Sequence, residues 1–228
     1  MKYIYHHLGL GDHIICNGLV RSLIKPEERY YMFVKPHNLT SVKFMYRDLT
    51  NLDFLVGDDT FANNYIKDFS IKRENLIIAG FTRHPNSKEF DDSFYLQNNI
   101  NFLNRWTKFY VGRDLDSEKK LFDKYNIKEN QYVFIHDDHK RNIYIDETHI
   151  INNNIPKIRP NIEYSENIFD YCYLMEHSVE SHFIDSSFRL IFDSLQLRNN
   201  NIYFHVSYKD VIRDFTTKSQ SLLNFKII

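Results

Sequence analysis

The chain has 228 residues, 43% of them hydrophobic and 16% aromatic, enough to bury one large core or two small ones. A formal net charge of −1 and a pI near 6.8 give no electrostatic footprint for nucleic acid. Two widely separated cysteines, Cys16 and Cys172, fall on apolar helical faces and point to a reducing compartment, with neither a disulfide framework nor a zinc site. No signal-peptide pattern opens the sequence, and no apolar run approaches the roughly 20 residues of a membrane span, so the chain reads as soluble and cytoplasmic.

In chain order, Tyr3, Ile4 and Tyr5 form a short apolar-aromatic run that reads as a buried first strand. Then comes His6-His7-Leu8-Gly9-Leu10-Gly11-Asp12-His13, followed by Ile14, Ile15, Gly18, Leu19 and Leu23 at helical spacing. Strand, glycine turn, helix is the α/β device that points backbone N–H groups into a cleft. Asp12 stands where that helix begins and is suited to cap it. A dinucleotide fingerprint would need glycine at position 14, where Ile14 stands, and no Gly-Lys-Ser/Thr follows to make a phosphate loop.

Residues 28–35 carry a second strand ended by Pro36, residues 37–49 a helix, 52–56 a third strand, 60–69 a polar helix and 75–80 a fourth strand. This alternation predicts a parallel sheet with helices on both faces. Between Thr82 and Asp114 the pattern changes to aromatics among charges, including Trp106. Two short helices bridging the halves are expected there, their aromatics serving either as interdomain packing or as a stacking platform for a sugar.

Residues 116–125 read as an amphipathic helix, and Gln131 to His136 as a strongly apolar strand that runs into Asp137-Asp138-His139-Lys140-Arg141-Asn142. Residues 143–160 suggest a short strand between loops, and 167–178 a helix with Ser165 as its cap. A brief strand at 182–184 leads into Asp185-Ser186-Ser187 and a helix to Leu195. A last strand spans 201–206, and 211–223 is a variable C-terminal piece. A second domain is expected to begin between 115 and 130, giving units of 1–120 and 121–228.

Two hydroxyls at a helix start make either an anion pocket or an ordinary cap. Lys140 and Arg141 stand at the carboxyl end of a parallel strand, where α/β ligands bind. Asp114-Leu115-Asp116 lacks a preceding apolar strand, which argues against a metal-dependent Asp-x-Asp site. Eleven histidines fall in no zinc-binding spacing, and no Gly-x-Ser-x-Gly elbow appears.

Leu10-Gly11-Asp12-His13-Ile14 and Asp185-Ser186-Ser187-Phe188, in that order and separation, resemble the corresponding turns of GT-B glycosyltransferases, particularly the heptosyltransferase-like family. The resemblance implies two small Rossmann-like domains facing across a cleft. It also implies transfer of a sugar from a nucleotide diphosphate sugar to an acceptor hydroxyl, inverting and metal-independent, with no cofactor beyond the donor. Asp12 would be the base, with His13 as the alternative. Gly9, Gly11, His136, Lys140, Arg141, Asp185, Ser186, Ser187 and Arg189 would bind substrate. The expected partners are a nucleotide sugar and a glycan or other hydroxyl acceptor. The chain is short for such an enzyme and lacks the Gly-rich or His/Glu-rich donor signatures of several GT-B families. A non-catalytic nucleotide- or glycan-binding module, or another nucleotide-sugar-using enzyme, remains the alternative.

Overall fold

A computed structural model describes residues 1–87, 89–206 and 221–228, and all of Lys140 but its side chain. Most of the piece at 211–223 therefore lies outside the described residues. The chain divides into two compact units, Met1–Val111 and Gly112–Ile228.

The first unit runs β1 (Lys2–His6), α1 (Leu10–Ile15), α2 (Asn17–Leu23), β2 (Tyr30–Val34), α3 (Leu39–Met45), β3 (Leu52–Val56), α4 (Asp59–Asp68), β4 (Leu76–Ala79), α5 (Phe90–Leu96) and α6 (Asn104–Thr107). Its four strands lie in the order β3-β2-β1-β4, every pairing parallel. Alternation sends Tyr5, Phe33 and Leu76 to one face, where they pack with Leu8 and with Ala62 of α4. Ile4 and Met32, of opposite parity, are equally buried.

The expected first helix is two short ones that meet at Cys16, whose backbone amide bonds to Asp12 O. α2 can lie against α6 because Gly18 has no side chain: a Cβ there would stand 2.0 Å from the Asn104 carbonyl oxygen. The two short helices of the aromatic segment, α5 and α6, belong to the first unit. Tyr95 is buried, its hydroxyl donating to Ile15 O at 2.7 Å and accepting from Leu19 N at 3.1 Å. Trp106 packs edge-on to Phe102 at 5.2 Å. The buried ion pair of Arg105 with Asp91 joins α6 to α5.

The second unit runs α7 (Leu115–Lys124), β5 (Val133–His136), β6 (Lys157–Ile158), α8 (Cys172–Glu176), β7 (Glu180–Phe183), α9 (Ser187–Ser194), β8 (Ile202–Phe204) and β9 (Lys226–Ile227). The strand order is β6-β5-β7-β8-β9, again parallel throughout. The division at 111/112 leaves α7 wholly in this unit. Arg113 fixes it there, bonding Glu118 of α7 at 2.8 Å and Glu176 of α8 at 2.6 Å. On one face of the sheet Phe134 and Phe183 pack with Phe188 and Phe192 of α9. On the other, Val133, Ile135 and Ile184 are covered by Ile145 and Ile150.

The helix expected over 167–178 starts as a 3-10 turn, Ile168–Tyr171, before α8. Its cap is Asn167, which accepts from Phe169 N. Ser165 instead donates to Asp170 at 2.6 Å, because a 3-10 start moves the cap two residues along the chain. Cys16 and Cys172 are both free and buried.

Candidate functional site

Ligands of open parallel sheets bind outside the carboxyl ends of the strands, at the point where strand order reverses. In the first sheet that point lies between β1 and β4, and in the second between β5 and β7. Each unit therefore has its own candidate edge.

At the first edge β1 delivers His6 and His7, and the chain turns through Leu8 and Gly9 into α1. Gly9, in extended conformation, is the N-cap. Asp12 is not the cap; it is the third residue inside the helix. Its carboxylate lies back over the turn, so close that a Cβ on Gly9 would stand 2.6 Å from Asp12 Oδ2. Burial pushes the Asp12 carboxyl up to about 6, against lowering contributions from His7, the Gly9 amide and Lys35. Lys35 pairs with Asp59 at 2.9 Å, and Asn38 satisfies the Leu8 carbonyl at 2.8 Å. Gly11 is helical, the second residue of α1.

His13 points away from this edge. It is fully buried, edge-on to His6 at 4.4 Å, with neither ring nitrogen hydrogen-bonded. Burial holds it well below the ordinary imidazole range and therefore neutral. The histidine near Asp12 is His7, which sequence reasoning passed over. Its Nε2 lies 2.7 Å from Gly80 O across the switch point. A carbonyl only accepts, so Nε2 carries the hydrogen. Gly80, at φ +91°, makes room: a Cβ there would meet Phe94 at 2.5 Å and His7 at 2.7 Å. The available signal was position, a histidine directly after the first strand.

At the second edge β5 ends at His136, whose ring stacks on Phe188 at 4.2 Å. Burial lowers it to about 4, leaving it neutral. Asp138 caps a 3-10 turn over His139–Arg141, accepting from Arg141 N at 3.0 Å and from Arg141 Nε at 2.7 Å. Asn142 closes the turn in the left-handed region at φ +54°. Arg141 also reaches Asp185 O, 3.4 Å away, and so ties the turn after β5 to the turn after β7. Ser186 is the N-cap of α9 and Ser187 its first residue. Arg189 is buried, donating to Asp185 Oδ1 at 2.7 Å and lying 4.9 Å over the Phe204 ring. It is part of the wall. Asp137, also buried, pairs with Arg159 at 3.2 Å. The Lys140 side chain lies outside the described residues.

The structure thus brings His136, Arg141, Asp185, Ser186, Ser187 and Arg189 to one sheet edge, and Gly9, Gly11 and Asp12 to another. The first edge offers a carboxylate that exchanges a proton near neutrality. The second offers the N-terminus of α9, capped by Ser186, and a partly neutralised guanidinium. Among the described residues no cluster of three or more His, Cys, Asp or Glu side chains has the geometry to hold a metal ion, and no helix is long and apolar enough to cross a membrane. Comparison with family models, curated proteins and solved structures returned no match.

Proposed function

We propose that the chain is a GT-B-type glycosyltransferase that moves a sugar from a nucleotide diphosphate sugar to an acceptor hydroxyl, inverting and metal-independent. The observation that supports this reading best is topological: the Gly-Asp turn and the Asp-Ser-Ser turn each occupy the strand-order switch point of a parallel sheet. In this reading Asp12 takes the acceptor proton as the hydroxyl attacks the anomeric carbon. A base works best with a pKa near the operating pH, and one so placed contributes on the order of 10²–10⁴ in rate. The α9 N-terminus and Arg141 receive the departing diphosphate.

The test is a thermal-shift screen against nucleosides, nucleoside diphosphates and nucleotide sugars. A ligand at 100 times its Kd adds about 2.7 kcal/mol of stability. Stabilisation by diphosphates and nucleotide sugars that exceeds stabilisation by nucleosides is the expected result. A flat response across the panel overturns the reading.

A further inference from the structure

On the second sheet, away from Arg141 and the α9 start, three buried side chains form a hydrogen-bonded chain. Glu180 and His182 share one face of β7, and His205 follows β8 on the same face, its backbone amide bonding Phe183 O at 2.8 Å. Glu180 Oε2 lies 3.1 Å from His182 Nε2, and His182 Nδ1 lies 2.8 Å from His205 Nε2. The residues are 1%, 0% and 7% exposed. Tyr203 stacks flat on His182 at 4.5 Å, and Lys226 lies 4.9 Å over Tyr203 from the other strand. Across from His205 are His149, ring centroids 6.1 Å apart, and beside it Asp146.

The hydrogen bonds fix where each proton sits. Glu180 accepts from Ile151 N at 3.2 Å, from Asn152 N at 2.7 Å and from the Asn152 side chain. Those donors outweigh burial and keep the carboxyl ionised, below its ordinary range. An ionised carboxylate only accepts, so His182 Nε2 carries a hydrogen. Burial keeps both imidazoles neutral, so His182 Nδ1 is a lone pair and His205 Nε2 donates to it. What is left is a lone pair on His205 Nδ1, polarised through two rings by the Glu180 charge. β8 ends at Phe204, so this atom stands at the carboxyl edge of the sheet.

We propose that Glu180, His182 and His205 form a proton relay whose working end, His205 Nδ1, accepts the proton of a ligand hydroxyl at the carboxyl edge of the second sheet. The proposal is independent of the glycosyl-transfer reading. In the step, the ligand O–H bond breaks as an N–H bond forms at His205 Nδ1, and the electron pair stays on oxygen. The Nε2 proton of His205 passes to His182 Nδ1. His182 becomes an imidazolium that faces the Glu180 carboxylate, an arrangement that offsets part of the cost burial sets on the new charge.

Two measurements test it. Long-range proton–nitrogen NMR on the uniformly labelled full chain at pH 7.5 should show both rings as Nε2–H tautomers, with His205 Nδ1 unprotonated. Carbethoxylation by diethylpyrocarbonate, mapped by mass spectrometry, should modify His205. His182→Phe keeps a ring against Tyr203 but breaks the chain, and should slow modification at His205 about tenfold while His149 reacts as before. Added nucleosides or free hexoses should protect His205. A hydrogen on His205 Nδ1, an unreactive His205 beside a reactive His149, an unchanged rate in His182→Phe, or no protection by any hydroxyl-rich probe each overturns the proposal. Should His182→Phe fail to fold, the tautomers and the wild-type reaction still decide.

Discussion

Asp12→Asn should make the protein more stable and, on the proposed reading, slow sugar transfer. Burial holds the Asp12 carboxyl at about 6 against an ordinary 3.8. A carboxyl raised in the folded state favours the protonated form there, so its stabilising effect is full below about 3.8 and is lost as pH rises through about 6. Above that, ionised Asp12 costs the fold about 2–3 kcal/mol. Asparagine has the same shape, retains an oxygen for the Gly9 amide and carries no charge. At pH 7.5 the variant should therefore melt about 10 °C higher than wild type, by the usual conversion for a domain of about 100 residues, and the gap should close as pH falls to 4. Calorimetry across that range measures it. Transfer should fall by about 10²-fold or more in the same protein if Asp12 is the base. Equal melting temperatures at pH 7.5, or a gap that does not change with pH, would refute the claim that the carboxylate is held in an environment that disfavours its charge. Full activity would return Asp12 to a purely local role at the turn.

Burial depresses His6 and His205 to about 4 from 6.5, so their contribution is present above 6.5 and drains away as pH falls toward 4. Each costs about 2 kcal/mol at pH 5, and urea midpoints in the Asp12→Asn background should fall accordingly; equal midpoints at pH 7 and 5 would contradict this. Gly80→Ala must seat a Cβ at φ +91° against Phe94 and His7 and should cost about 2 kcal/mol or more, so an unchanged urea midpoint counts against the turn geometry. Arg141→Ala should weaken nucleoside diphosphate binding by about 1.5–3 kcal/mol in titration calorimetry and leave nucleoside binding alone; equal losses for both would remove Arg141 from the diphosphate. Transfer should survive EDTA, and activity lost to EDTA and restored by manganese would overturn the metal-independent reading.

The sheets were legible because their strands are apolar runs bounded by turn residues: Tyr30–Val34, Leu52–Val56 and Leu76–Ala79 need no tertiary information to be seen. What the sequence hides is set by contacts distant in the chain. β9, only Lys226–Ile227, has no pattern of its own. It lies beside β8 because Asp193 of α9 accepts from Leu222 N at 2.9 Å, from Leu223 N at 3.3 Å and from Ser221. His7 became visible only once β4 was placed next to β1, since its partner Gly80 is 73 residues away. His13 misled for a related reason. One step along a short helix turns a side chain by about 100°, from the mouth at Asp12 into the core beside His6.

The second edge shows why a motif alone does not identify a phosphate site. Asp138, Arg141 and Asn142 are fully accounted for as a turn that closes on itself, and Asp185 with Arg189 as an ion pair on the first turn of a helix. Relative magnitudes decide whether such a turn can also take a ligand. The Arg141–Asp138 pair is exposed, 51% and 27% on its two sides, and pairs of that kind are worth about 0–1 kcal/mol. A charged hydrogen bond to a phosphate that is partly removed from water is worth about 1.5–3 kcal/mol. On the proposed reading Arg141 would gain by leaving Asp138 for a diphosphate at the α9 start. Arg189 is 2% exposed and lies over Phe204; it would have to abandon its ring contact and its place in the core. Between Arg141 and Arg189, Arg141 is the one whose present partner is weak enough to be exchanged for a ligand.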